Sequence, residues 1–334
     1  MAATIRRETV GTTAGHAGQG PTRVDAYTLD TGEGLAITVW TYGAGLVEVL
    51  VPDREGRPEN VVVNLPDLAA YQDRARNPYV GSTVGRYCRC VAGGRLVLDG
   101  VTYELDRNDG RHHLHGGAIG FDRYVWQARP EPRGDAAALR LRLDSPDGDQ
   151  GYPGALSAEV VYEVAPGGRL TFAYEATTTA TTVVSLTNHA FWNLAGSGPI
   201  DGHTLAVNST RTTLFDDQLV PLPGPPADIA GGPLDYSGPR TLGDHALDNC
   251  FVLDDPAWAA ELHDPVSGRT MRVVTDQPGL GVYTADGFSG RRRSGICLEA
   301  GALPDAPNRA DYPPVRLDPG EVYRHRTVHH FSAG

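Results

Sequence analysis

The sequence contains no lysine; all 29 basic residues are arginine. This excludes chemistry that needs a lysine amine, namely Schiff-base catalysis, pyridoxal phosphate attachment and P-loop phosphate binding. Cysteine is scarce, with only Cys88, Cys90, Cys250 and Cys297 and no CxxC pair, so neither a zinc ribbon nor a disulfide framework is indicated. Cys88 and Cys90 would share one face of a strand, but a disulfide between such near neighbours is strained, and free buried thiols are expected. No apolar run approaches the roughly 18–20 residues that cross a bilayer, so no membrane partner is expected. The opening MAATIRRETVGTTAGHAGQG lacks the apolar stretch of a secretory signal. Residues 1–21 read as a loose tail, with order from about Thr22, and the cytoplasm is the default location. The one basic run is Arg291–Arg293, read as a solvated turn, in a chain of net charge −12. A nucleic-acid partner is excluded on that ground, because such partners need a basic face.

Long segments of helical period are also missing. Short helical turns are expected near 65–74 and 256–262. Period-two segments dominate instead: AITVWTYGAGLVEVLVP, GRLVLDGVTYEL, LRLRLD, RLTFAYEATT, RTMRVVTD and GVYTA, set apart by Gly, Pro, Asp and Asn turns. Within GRLVLDGVTYEL, Asp99-Gly100 marks a tight hairpin turn. The 41 glycines and 25 prolines are spread as turns rather than gathered into a linker. Residues 22–334 therefore read as a single large all-β domain, an antiparallel sandwich or barrel.

Four stretches can carry chemistry. In RHHLHGG, His113-x-His115 has a metal-ligand spacing, but the carboxylate such sites want a few residues on is absent. His112 and His113 fit satisfied loop histidines, whereas Gly116-Gly117 would leave room for a ligand to approach His115 closely. In SLTNHAFWNLAG, His189 stands between polar and aromatic residues, a combination suited to a sugar and equally to a buried strand end. In GICLEAGALPDAPNR, Glu299 ends an apolar run. A partly desolvated carboxylate there can have its pKa raised toward a useful base, and a structural ion pair is the alternative. In ALDNCFVLDD, Asp248 precedes a strand and could hold hydroxyls.

Together these stretches resemble the aldose 1-epimerases, or galactose mutarotases. The likeness runs from near Asp25 to near Phe331 through TYGAGLVEVLVPDREG, NPYVGSTVGRY, LDGVTYELDRNDGRHHLHGGAIGFDRYVW, SPDGDQGYPG, TNHAFWNLAG, LDNCFVL, ICLEAGALPDAPN and LDPGEVY. The resemblance implies a large antiparallel β-sandwich, no metal or organic cofactor, and interconversion of the α and β anomers of a free hexose by ring opening and closure. Such a reaction needs a base and an acid, expected on opposite sides of the ring. Carried over by motif, Glu299 is the base on the anomeric hydroxyl and His189 the acid at the ring oxygen. His115 assists there, and Asp248 and Asn188 bind substrate. The expected partner is a small sugar or sugar-like molecule, and the expected state a monomer or homodimer.

The chain departs from the family pattern Gly-Arg-x-Ala-Asn-Arg-Ile, reading Gly85-Arg86-Tyr87-Cys88-Arg89-Cys90-Val91. Arg89 and Cys90 thus occupy substrate-binding positions that relatives give to Asn and Arg. A thiol supplies neither the charge nor the fork of donors of a guanidinium. Strand alternation would also turn Arg89 away from the face of Cys90. Asn249 and Gly301 differ too, where His and Gln are usual, and all these changes are expected around the sugar site. The alternative is an enzyme of the same fold repurposed for isomerising or cyclising a modified sugar or a secondary-metabolite hemiacetal. A non-catalytic sugar binder would not need a matched acid and base.

Overall fold

Alternating sequences become strands because one face of each is buried. Along Ala136–Ser145, Leu139, Leu141 and Leu143 point inward while Arg140 and Arg142 face out. In the computed structural model, which describes residues 3–16, 19–255 and 258–334, this strand belongs to a nine-stranded antiparallel sheet. It pairs with Leu156–Ala165, and from there the sheet continues through Arg169–Thr178, Tyr323–Ala333 and Arg269–Thr275. Leu156–Ala165 and Tyr323–Ala333 lie outside the strands expected from sequence, although the former alternates as clearly as its partners.

A five-stranded sheet runs Thr4–Thr12, Arg23–Asp30, Ala36–Trp40, Gly45–Pro52 and Pro58–Asn60. Its first strand corrects the expectation of a loose tail before Thr22. Thr4–Thr12 pairs with Arg23–Asp30 along its length, and Arg7 reaches Asp25 at 2.7 Å. An edge strand is held by its backbone bonds and needs no apolar face, which is why its mostly exposed side chains gave no signal. A six-stranded sheet joins Phe191–Trp192, Ile296–Gly301, Gly279–Tyr283, Asp248–Val252, Arg211–Thr213 and Ala227–Asp228. One apolar core takes residues from all three sheets, among them Leu29, Tyr162 and Leu298.

Helix is confined to short pieces. Leu68–Gln72 is an α-helix whose cap, Asp67, accepts the Ala70 N–H at 2.8 Å. The helical turn expected over 256–262 is not found: Ala260–His263 is a strand, and residues 256–257 lie outside the described residues. At Asp99-Gly100 both residues have positive φ, 51° and 79°, the backbone a two-residue hairpin requires.

Candidate active site

Three strands of the six-stranded sheet and the segments around them converge on one cavity of about 230 Å³. Glu299 comes from Ile296–Gly301 and lies opposite Gly281 in the pairing with Gly279–Tyr283. Asp248 begins the next strand, opposite Tyr283. His189 sits between the short strands Thr187–Asn188 and Phe191–Trp192. Its N–H donates to Ser82 O, and its carbonyl accepts the Gly81 N–H, both at 2.9 Å. His115 follows His113–Leu114 with φ 51°, and Arg89 precedes Cys90–Val91 with φ 77°.

The backbone N–H of Arg89 donates to His115 Nδ1 at 3.1 Å, and the His115 N–H donates to Arg89 O at 3.2 Å. A ring whose Nδ1 accepts is neutral and carries its proton on Nε2. Electrostatics agree: burial first, then the His189, Arg89 and Arg74 charges, push the His115 pKa well below its ordinary value. His115 is a fixed hydrogen-bond donor. His189 packs edge-on against it with ring centres 5.2 Å apart, and Tyr79 covers both rings. His189 Nδ1 meets Cys297 Sγ at 3.5 Å, while its Nε2 is 3.6 Å from Glu299 Oε1. Acid and base candidates are thus closer than groups flanking a sugar ring on opposite sides would be. Glu299 is buried, and its Oε2 has no hydrogen-bond partner. Asp248 is open to the cavity, yet the protein packed round it and the Glu299 charge raise its pKa to about 6, with Arg89 acting in the other direction.

Arg89 overturns the alternation argument. Its left-handed backbone breaks the strand, so Arg89 and Cys90 both line the cavity. Its guanidinium is largely committed to backbone: Nη2 donates to Glu299 O at 2.5 Å and Nε to Ala302 O at 3.2 Å. The Cys90 thiol is held neutral, its pKa pushed up to about 12 by burial and by the charges of Asp305, Asp109 and Asp216. Arg86, three residues before Arg89, is buried and donates to Ser145 Oγ and to the carbonyls of Pro146, Pro153 and Gly154.

Other expectations need correction. Asn188 does not reach the cavity. Its Nδ2 donates to Gly81 O at 2.6 Å and to Tyr162 Oη at 3.2 Å, on the side of the strand facing Phe172 and His325. Gly116 and Gly117 are not gaps for a ligand: a Cβ would stand 1.7 Å from Gly85 O at the first and 2.6 Å from Gln150 Oε1 at the second. Gly301 also faces away from the cavity, where a Cβ would be 3.0 Å from Cys88 Sγ. Positions 88 and 301 therefore touch each other, the Cys88 thiol filling space that a longer side chain at 301 would need. Asn249 does line the cavity. His112 and His113 are satisfied in loops, His113 by Asp106 O and Tyr152 Oη, both at 2.6 Å.

Tyr79, Asp109, Phe215 and Leu219 also line the cavity and were not singled out in the sequence. Phe215 and Leu219 arrive on a turn closed by the Phe215–Pro221 bridge, and no local pattern announces such a long-range approach. The ligand atoms of His115, His189 and Glu299 lie within 4.8 Å of one another, close enough to hold a metal ion. Two features count against that use: His115 Nδ1 is occupied, and the Arg89 charge acts on both His115 and Glu299.

Comparison with known proteins gives a consistent result. A family model described as aldose 1-epimerase matches residues 25–330. The galactose mutarotase of Bos taurus is 36% identical over 320 residues, which cover 89% of this chain and 91% of that protein. The aldose 1-epimerase of Escherichia coli K12 is 29% identical over 333 residues, covering 92% and 94%. The crystal structure of galactose 1-epimerase from Lactobacillus acidophilus NCFM superposes with a TM-score of 0.87 at 27% identity, covering 99% of this chain and 100% of that one.

Proposed function

The chain belongs to the aldose 1-epimerase family, and we propose that Glu299, His189 and His115 carry its reaction. The protein is an isomerase that interconverts sugar anomers. In the proposed mechanism Glu299 takes the proton of the anomeric hydroxyl as His189, starting as imidazolium, gives one to the ring oxygen. The C1–ring oxygen bond breaks, and the electron pair of the anomeric oxygen forms the carbonyl of an open-chain aldehyde. Rotation about C1–C2 presents the other carbonyl face. Closure then returns both protons by the same two groups with roles exchanged. His115 donates from Nε2 to the ring oxygen without changing charge.

One observation carries this reading: the buried side chains of His189 and Glu299 line a single cavity with Nε2 and Oε1 3.6 Å apart. The two oxygens that exchange protons are both bonded to C1, so an acid and a base so close suit them. Asp248 is assigned to hold sugar hydroxyls. The pairing of Arg89 with Glu299 O and Ala302 O supports a positioning role for it beside the base. A cytoplasmic location and a monomeric or homodimeric state complete the proposal. Among the described residues no helix is long and apolar enough to cross a membrane.

The test is optical rotation of fresh α-glucose and α-galactose with wild type, Glu299→Gln and His189→Asn. Each variant should lose at least about 10²-fold in turnover, the lower end of acid–base contributions, with its circular dichroism unchanged. Wild-type rates in either variant would remove that residue from the mechanism.

A further inference from the structure

Position 90 lines the cavity with a neutral thiol. The consequence is an imbalance of charge. Three carboxylates line the cavity, Asp109, Asp248 and Glu299, against the guanidinium of Arg89 and the proposed imidazolium of His189, which stands by Glu299. Arg89 does not serve the Cys90 end, because its Nη2 and Nε are spent on Glu299 O and Ala302 O. Three carboxylates, Asp305, Asp109 and Asp216, act on the Cys90 thiol; Arg309 acts on Asp305 and Arg111 on Asp216, whereas Asp109 has no ion-pair partner among the described residues. Elsewhere arginines find carboxylates readily, as at Arg133–Glu131, Arg293–Asp201 and Arg316–Asp99. Among the described residues neither Asp109 nor Asp248 has such a partner. The buried Glu299 Oε2 is also without one.

A sugar carrying only hydroxyls brings donors to such a wall but no charge. A protonated amine brings both, and the partly desolvated site strengthens its attraction to carboxylates relative to water. We propose that the preferred substrate is an aminoaldose, a free sugar whose protonated amine lodges beside Cys90 and Asp109. The proposal rests on the anomer-interconverting reading above and names its substrate class.

The test compares mutarotation of glucosamine, galactosamine, 3-amino-3-deoxyglucose and 6-amino-6-deoxyglucose with that of glucose and galactose, at about pH 6.5. At least one aminoaldose should show a kcat/KM about tenfold or more above its parent sugar, equivalent to about 1.4 kcal/mol. That ratio should fall at least about fivefold in Asp109→Asn and drop below one in Cys90→Arg, where a fixed cation repels the amine. Turnover of the parent sugars with no aminoaldose exceeding them overturns the proposal and leaves the anomer-interconverting reading intact. So does an amine preference that Asp109→Asn and Cys90→Arg both leave unmoved, since the amine then lies elsewhere. Acceleration of no sugar at all overturns both.

Discussion

Gly281→Ala tests how the strand bearing Glu299 is held. Gly281 has an ordinary strand backbone and pairs directly with Glu299. On backbone grounds alone, replacing a strand glycine with alanine should stabilise by about 0.5–1 kcal/mol. The side chain across it reverses that sign. A Cβ at 281 would stand 2.0 Å from Arg89 Nη1 and 2.6 Å from Arg89 Cζ, so the guanidinium must leave. Leaving breaks its bonds to Glu299 O and Ala302 O. Hydrogen bonds from charged donors contribute about 1.5–3 kcal/mol each. Set against the backbone gain, the net destabilisation is about 2–5 kcal/mol. The freed guanidinium also enters the space the substrate needs, so kcat/KM should fall by at least about tenfold.

Arg89→Asn supplies the control. Position 89 has φ 77°, which asparagine tolerates better than most residues, and its short side chain removes the clash. In that background Gly281→Ala should be neutral or slightly stabilising. Urea unfolding of wild type, both single variants and the double variant measures the coupling directly. A coupling of about 2 kcal/mol or more is expected, well beyond the roughly 0.5 kcal/mol within which independent sites add. A Gly281→Ala protein as stable and active as wild type, or a coupling inside that margin, would refute the placement of Arg89.

Two further perturbations address the loop and the core. Gly116→Ala places a Cβ against the Gly85 carbonyl at φ 92°; overpacking adds about 1–3 kcal/mol to a left-handed penalty of about 1–2 kcal/mol. Gly110→Ala, with φ 57° and nothing within 4 Å, should carry only the second; equal urea midpoints for the two variants would refute the packing argument. For His329, burial and the His330 charge lower its pKa to about 3, below the unfolded value of roughly 6.5. The unfolded chain therefore binds more protons across that interval, and stability is lost as pH falls through it, at about 1.4 kcal/mol per unit for this group. His329→Phe should reduce the stability lost between pH 6.5 and 5 by about 2 kcal/mol, read from urea unfolding at each pH; identical losses in the two proteins would refute a neutral buried His329.

Much of the sheet structure is visible in the sequence because burial on one face imposes a period of two, as at Leu139, Leu141 and Leu143. The Asp99-Gly100 turn is visible because both residues must take positive φ. The edge strand Thr4–Thr12 escapes because backbone pairing leaves little trace in side-chain pattern when most of the side chains are exposed and only Ile5 and Val10 pack against the cores. Glu299, His189, His115 and Asp248 were reachable through motif resemblance, and all four line the cavity. Asn188 shows the limit of that route. It is adjacent to His189 in sequence, but one residue along a strand is enough to turn it to the opposite face, where it ties Gly81 to Tyr162.

The same rule misled at Arg89 for a physical reason that extends to the whole site. Alternation holds only while the backbone stays extended, and four non-glycine residues at the cavity do not: Tyr79, Arg89, His115 and Leu219 have φ of 64°, 77°, 51° and 58°. Each such residue carries strain that the surroundings must offset. Here the offset can be traced. The N–H of Arg89 binds the His115 ring, the N–H of His115 binds Arg89 O, and the Arg89 guanidinium binds the carbonyl of Glu299. Two strained residues thus fix each other, and one of them grips the strand that presents the proposed base. The arrangement explains why a thiol at position 90 is compatible with the acid–base geometry. Arg89 holds Glu299 through the backbone and the His115 tautomer through its own N–H, and neither bond involves the side chain of residue 90. Substrate recognition and proton transfer therefore rest on different atoms of one short segment, so the first can change while the second is preserved.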